Sequence, residues 1–453
     1  MLAAAVAPVL FVLATATGPD RIVTNTDNVT ALAAADGTLW AATRGGLEEY
    51  DEATLVRRRL YTTADGLAAN AVVAVAVEGG DVVARTEDAV CVRRGGRFVC
   101  TFAAHAAGAA PAAPALFEGA RVTERLTVGA RTFVATAGRG LWIDGTHPRA
   151  LTPADQISSN HITAMVRFRG AIWLGSFDQG LSRFDGQRFR RVRAPIRMIN
   201  DLAVAKDALY VASTRGLFRS RAGEHFQRVA YLDGRGITGL AVDGDTLWAV
   251  SPVALWRVPL GGRGWLHGFP LPGGAHAVQA VDAAAGVVWM ASEDRGAIRF
   301  RGGQFQSFDR AAGLPTSWAV GVAATADGGA YLATLRHGLL KLDADGSARP
   351  VPGVPDNWLL HVGRAGDGVW VGTQGGAARV RDGGSIDLVT GLPNPCVHAI
   401  ATFDDETWFA TEGGLAIYRR SSWAARGSTR SSGSAGVRRG QLDERDVFAL
   451  ARP

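Results

Sequence analysis

Apolar and polar residues alternate along this chain in short runs with the period of two expected of half-buried strands, and Gly, Asp and Asn punctuate the runs. The runs also recur as a larger unit: a turn, an apolar alternation, an Asp/Gly turn, an aromatic followed by apolar, Ala/Gly and Thr/Ser positions, a Gly-containing turn, and another short strand. Asp36-Gly37-Thr38-Leu39-Trp40-Ala41-Ala42-Thr43-Arg44-Gly45-Gly46-Leu47 is one copy, and Gly368-Val369-Trp370-Val371-Gly372-Thr373-Gln374-Gly375-Gly376 is another. The aromatic anchors are Trp40, Phe133, Trp173, Tyr210, Trp248, Trp289, Tyr331, Trp370 and Trp408, with Val83 in the same slot. They stand about 37 to 50 residues apart, the period of propeller blades. The widest gap holds an Ala/Pro-rich insertion at 103–114.

Each unit divides into four strands; in the fourth they are predicted over 162–168, 171–176, 181–184 and 189–193. Tandem four-stranded antiparallel units of this length imply an all-β fold, a β-propeller of about ten four-stranded blades, expected to close as one ring. Closure covers most of the sheet edges that isolated blades would expose. The anchors are read as packing between neighbouring blades, and residues 21–26 as a strand able to complete the last blade.

The repeat resembles the two-component regulator propeller family. The residues that carry the likeness are Asp65-Gly66-Leu67-Ala68-Ala69-Asn70-Ala71-Val72 and Leu39-Trp40 through Thr43-Arg44-Gly45-Gly46-Leu47, matched later by Gly391-Leu392-Pro393-Asn394 and Thr411-Glu412-Gly413-Gly414-Leu415. The resemblance spans roughly 22–420. It implies an extracytoplasmic, sensor-like, ligand-binding propeller, often for glycans in that family, and names no ligand.

Residues 1–16 read as a signal peptide. The apolar run 2–16 is too short to span a bilayer and ends in Ala14-Thr15-Ala16, which fits small-x-small cleavage, although a basic n-region is lacking. A periplasmic or secreted protein is expected, with no transmembrane helix apart from that segment. Residues 17–420 are assigned to the propeller, and 421–453 to a disordered, basic, Ser/Arg/Gly-rich tail ending in a strand-like 446–451 that would suit the start of another copy.

Composition agrees. Apolar residues make up 47% and charged residues 20%, which affords a large core, and 57 glycines suit many tight turns. The net charge of +6 comes almost wholly from scattered arginines with no long basic run within the repeats, so no nucleic-acid partner is expected. In Val90-Cys91-Val92-Arg93-Arg94-Gly95-Gly96-Arg97-Phe98-Val99-Cys100 a Gly-Gly hairpin would set residue 91 opposite residue 100 at a non-hydrogen-bonded pair, within disulfide reach. A Cys91–Cys100 disulfide is predicted, in keeping with an oxidising compartment. Cys396 has no evident partner.

In a propeller the loop leading into the inner strand and the turn between the second and third strands emerge on one face and converge on the axis, so ligand residues are sought there. The slot before the inner strand holds Asn28, Ala71, His161, Trp318, Trp358 and Cys396, with His276 beside it in the seventh unit; Asn70 lies in the same loop. The turns supply Arg44, Glu87, Asp178, Arg215, Asp294, Arg295, Arg336, His337, Gln374 and Glu412. The binding residues named are Trp318, Trp358, Arg336, His337, His276, His161, Asn70, Asp178 and Arg215. Flat aromatics beside a guanidinium suit a sugar or another polar ring, although both tryptophans could simply cover the ends of the blade core. No HExxH, GxSxG, P-loop or Cys/His zinc spacing occurs, so no catalytic residue, metal or cofactor is expected. The function expected is non-enzymatic recognition of a glycan or small polar ligand, with a protein partner as a further expectation. The alternative is a propeller lyase or hydrolase acting on a glycan or small antibiotic.

Overall fold

A computed structural model describes residues 18–419, apart from 103–115, 118, 147, 154, 233, 261–265 and 275–276. The signal peptide, the tail, the whole 103–114 insertion and His276 therefore lie outside the described residues. Ten antiparallel sheets follow one another, nine of four strands and one of five, with no α-helix among the described residues. They are blades 1 (29–61), 2 (72–102), 3 (116–150), 4 (162–191), 5 (199–228), 6 (239–270), 7 (278–308), 8 (319–351), 9 (359–388) and 10 (397–419). In the fourth blade the strands are Ile162–Phe168, Ala171–Ser176, Gly180–Phe184 and Phe189–Arg191, within two residues of the prediction. Arg21–Val23 pairs with Gly414–Arg419 and completes blade 10, so the first and last described strands share a sheet.

The recurrent Thr/Ser after each anchor has a structural task. Its hydroxyl donates to the carbonyl at the start of the third strand and pins the turn between, as from Thr43 to Gly46 (2.8 Å), Ser176 to Gly180 (2.9 Å), Thr373 to Gly376 (2.9 Å) and Thr411 to Gly414 (2.7 Å). Gly414 sits at φ +105°, and a Cβ there would lie 2.5 Å from the Val23 carbonyl oxygen, so the turn's glycine also admits the strand that completes the blade.

Side chains between blades form nine cores, and their order shows how the blades are arranged. Seven of them join 4 to 5, 5 to 6, 6 to 7, 7 to 8, 8 to 9, 9 to 10, and 10 back to 4. In the last, Trp408, Phe403 and Ile417 of blade 10 pack with Phe184, Phe189 and Leu174 of blade 4. Blades 4–10 are thus a closed seven-bladed ring. The other two cores join blade 1 to blade 2 and blade 3 to blade 1. Hydroxyls from inner strands confirm this order, since Thr30 of blade 1 donates to the Val72 carbonyl (2.7 Å) and Thr123 of blade 3 to that of Val29 (2.6 Å). The fold class and the ten blades are as expected, but the single ring is corrected to a closed seven-bladed ring and an open three-bladed sector. Repeat spacing counts blades; closure depends on which sheet faces complement each other, and blade 10 meets blade 4.

Each aromatic anchor packs toward the following blade, with Phe133 facing blade 1 and Trp408 facing blade 4. Val83, the one non-aromatic anchor, belongs to blade 2. Among the described residues no core joins that blade to a following one.

Candidate functional site

The converging face is built on a repeated backbone contact. The residue before an inner strand accepts, through its carbonyl, the N–H of the first residue of that blade's second turn. Pairs of this kind are Asn28 with Arg44 (3.0 Å), His161 with Phe177 (3.1 Å), Trp318 with Leu335 (3.3 Å), Trp358 with Gln374 (3.0 Å) and Cys396 with Glu412 (3.3 Å). The two loop positions singled out from the sequence are therefore held side by side in blade after blade. In the ring they set Trp318, Trp358, Cys396 and His161 in successive blades, 8, 9, 10 and 4.

Side chains cluster most closely where blade 10 meets blade 4. The His161 ring stacks on Phe177 (centroids 5.3 Å apart) and lies 4.6 Å from the His398 ring. Nε2 of His398 is 3.7 Å from Sγ of Cys396 and 3.8 Å from Oε1 of Glu412. Burial, then the neighbouring His398, holds His161 below the usual histidine range, against the opposing pull of Asp178 and Glu412. Its interaction with His398 keeps Glu412 below the usual carboxylate range. Burial, reinforced by the Glu412 charge, pushes the Cys396 thiol up to about 12. Cys396 alone is therefore a neutral thiol at physiological pH and a poor nucleophile.

Beside this cluster a cleft of about 650 Å³ opens between the ring and the sector. Its lining includes Asp27, Asn28, Arg44, Glu87, Asp88, Phe102, Asn160, His161, Asp178 and Glu412. The walls are fixed by buried and part-buried hydrogen bonds between the two segments that connect ring and sector. The Asn160 side chain accepts from the Asn25 N–H (2.6 Å) and donates to its carbonyl (3.1 Å), and Gln156 accepts from the Thr26 N–H (3.0 Å). Arg191 of the ring is paired with Asp27 at the entrance to the sector.

Of the residues expected to bind ligand, His161 and Asp178 line this cleft. Trp358 receives the Arg336 guanidinium over its ring at 5.3 Å, as the pairing of flat aromatic and arginine anticipated. Trp318, 43% exposed, is hydrogen-bonded to Glu293 of the preceding blade, which burial raises above the usual carboxylate range. His337 and Arg215 are exposed on turns of blades 8 and 5, away from the cleft. Asn70 is a correction: it is fully buried, accepts from the Thr63 N–H (2.8 Å) and donates to the Gly413 carbonyl (2.7 Å), so its amide ties the sector to blade 10 and faces no ligand. Sequence reasoning passed over His398. The signal was present, since His398 stands two residues after the slot position Cys396, which lies beside the turn position of Glu412.

No family model matches the chain, and no curated protein does. Solved structures do. The extracellular domain of a hybrid two component system from B. thetaiotaomicron aligns at 12% identity and TM-score 0.53, over 85% of this chain and 60% of that one. This chain shares its propeller fold. A second such extracellular domain from B. thetaiotaomicron matches at 13% identity and TM-score 0.48, over 86% of this chain and 69% of its own. Virginiamycin B lyase from Staphylococcus aureus matches at 14% identity and TM-score 0.48, over 57% of this chain and 94% of its own.

Proposed function

We propose that the protein is a non-enzymatic, sensor-like propeller that binds a hydroxyl-rich polar ligand, a carbohydrate chain, in the cleft between ring and sector. The observation that carries this reading is the cleft itself, about 650 Å³ on the converging face and lined by Asp27, Glu87, Asp88, Asp178, Glu412, Arg44 and side-chain amides. Carboxylates and amides accept hydrogen bonds from sugar hydroxyls, Arg44 can donate, and Phe102, 76% exposed, offers a stacking face at the rim. Trp318 and Trp358 extend the same face along the ring. The Cys91–Cys100 disulfide, formed as its hairpin register predicted, suits a periplasmic or secreted location.

The test is a glycan array and a thermal-shift screen with the full chain. We expect a carbohydrate ligand whose affinity falls at least about tenfold in Asp178→Ala and Arg44→Ala, matching the loss of a charge-assisted hydrogen bond. Absence of any ligand, or a ligand indifferent to both substitutions, refutes the reading.

One observation favours the second reading, a lyase or hydrolase acting on a glycan or small antibiotic: histidines and carboxylates do gather at this mouth, and His161 is held neutral, as a general base must be. Mass spectrometry of the ligand after incubation separates the two, since a binding protein returns it intact.

A further inference from the structure

Two arrangements are open to a cysteine, a histidine and a glutamate in contact. In a nucleophilic relay the thiol engages one imidazole nitrogen and the carboxylate orients the ring through the other. Here Cys396 Sγ and Glu412 Oε1 both approach the same atom, Nε2 of His398, at 3.7 and 3.8 Å. A relay cannot run through one nitrogen. Three donor atoms facing a common point is instead how a metal is held, and the three atoms lie within 4.8 Å of one another. Zinc–ligand bonds of about 2.0–2.3 Å at tetrahedral angles separate donor atoms by about 3.3–3.6 Å, so the two spacings to His398 need to contract by only a few tenths of an ångström and the third, within 4.8 Å, by at most about 1.3 Å.

We propose that Cys396, His398 and Glu412 form a binding site for a borderline divalent cation of the zinc type, with three protein ligands and one position left for water or an exogenous ligand. The donor set is one thiolate, one imidazole and one carboxylate, which selects zinc or cobalt over magnesium and calcium, whose sites are built from oxygen. The site is preorganised. Cys396 stands just before the inner strand Val397–Phe403 and His398 is that strand's second residue, and the carbonyl of Cys396 accepts the Glu412 N–H (3.3 Å), which clamps the turn carrying the third ligand. Cys396 and His398 are half-buried, and Glu412 lies on the cleft side with His161 beside it. Binding replaces the thiol proton by the metal and releases that proton to solvent, so affinity rises with pH. The proposal is independent of the carbohydrate reading, because a metal can be held here whether or not the cleft takes a sugar.

Chemistry makes the test unambiguous. With Cys91 and Cys100 joined, Cys396 is the one free thiol of the chain's three cysteines. Full-length protein is titrated with Co2+, then Zn2+, without added thiols. The expected result is one Co2+ per chain, a thiolate-to-cobalt band in the near ultraviolet with intense visible bands of a tetrahedral ion, and displacement of both by Zn2+. The near-ultraviolet band is lost in Cys396→Ser, and Zn2+ affinity falls more than about tenfold in His398→Gln and Glu412→Gln. In wild-type protein Zn2+ also shields Cys396 from iodoacetamide, a readout that requires no variant to fold. Folded wild-type protein that shows neither the band nor the shielding overturns the proposal, as does a cobalt spectrum unchanged in Cys396→Ser.

Discussion

Trp289 shows what the repeat's anchors do. It is fully buried between blades 7 and 8, packs on Phe308, and donates its indole N–H to the Gly328 carbonyl (3.2 Å). Trp289→Ala should cost about 3–5 kcal/mol in denaturant unfolding, the usual toll of a large aromatic lost from a core. Charged residues on inner strands have a different task, because each inner strand of a four-stranded blade is the edge of its sheet and leaves backbone N–H groups without a strand partner. Asp201 of blade 5 meets that need by accepting from Leu202 (2.7 Å) and from Leu240 of blade 6 (2.8 Å), and Asp282 of blade 7 accepts from Ala324 of blade 8 (2.9 Å). Burial pushes Asp201 from an ordinary 3.8 up to about 7. An acid raised on folding holds its proton where the unfolded chain has released it, so its contribution is complete below pH 3.8 and drains away as pH rises to about 7. Stability followed by denaturant titration should lose this downward component between those limits in Asp201→Asn. An unchanged profile would mean that Asp201 is ionised in the folded protein.

Strands and turns were the most legible level. The Gly95-Gly96 hairpin set Cys91 opposite Cys100, and that register is the one observed. The disulfide closes a short loop within blade 2 and should contribute about 2–3 kcal/mol, so reduction should loosen blades 1 and 2 while amide exchange in blades 4–10 stays unchanged. Arg21–Val23 is the other element with large leverage, since its three residues pair with Leu415–Ile417 and complete blade 10. Deleting residues 18–24 should lower the melting temperature and promote aggregation on light scattering, because the outer edge of Gly414–Arg419 is then bare. His398 escaped notice for a reason at this scale: a lone histidine in a strand looks like any polar outward position until the adjoining turn is placed beside it.

At the scale of the molecule, the closed ring and the open sector should differ in stability. Every blade of the ring has a neighbour core on both faces, whereas blades 2 and 3 each have one among the described residues. Native-state hydrogen exchange should therefore show blades 2 and 3 opening at lower free energy than blades 4–10. Equal protection throughout would mean that the sector's end faces are covered. The substitution of Val83 for an aromatic anchor marks the same boundary, and the sequence carried it openly; what it marked became visible only once blade 2 was seen to lack a following blade.

What the amino-acid sequence determined by itself is everything that depends on local period and turn chemistry: ten four-stranded units, their anchors, the hairpin disulfide, and the loop positions that share a face. These follow from contacts within a few dozen residues, where strand alternation and glycine turns leave one good solution. Where the ring closes, which body Asn70 holds to which, and the meeting of His161 with His398 were decided by the tertiary structure alone. Those contacts join residues more than two hundred positions apart, and near-equivalent blades offer many alternative neighbours that only the fit of whole sheet faces can distinguish.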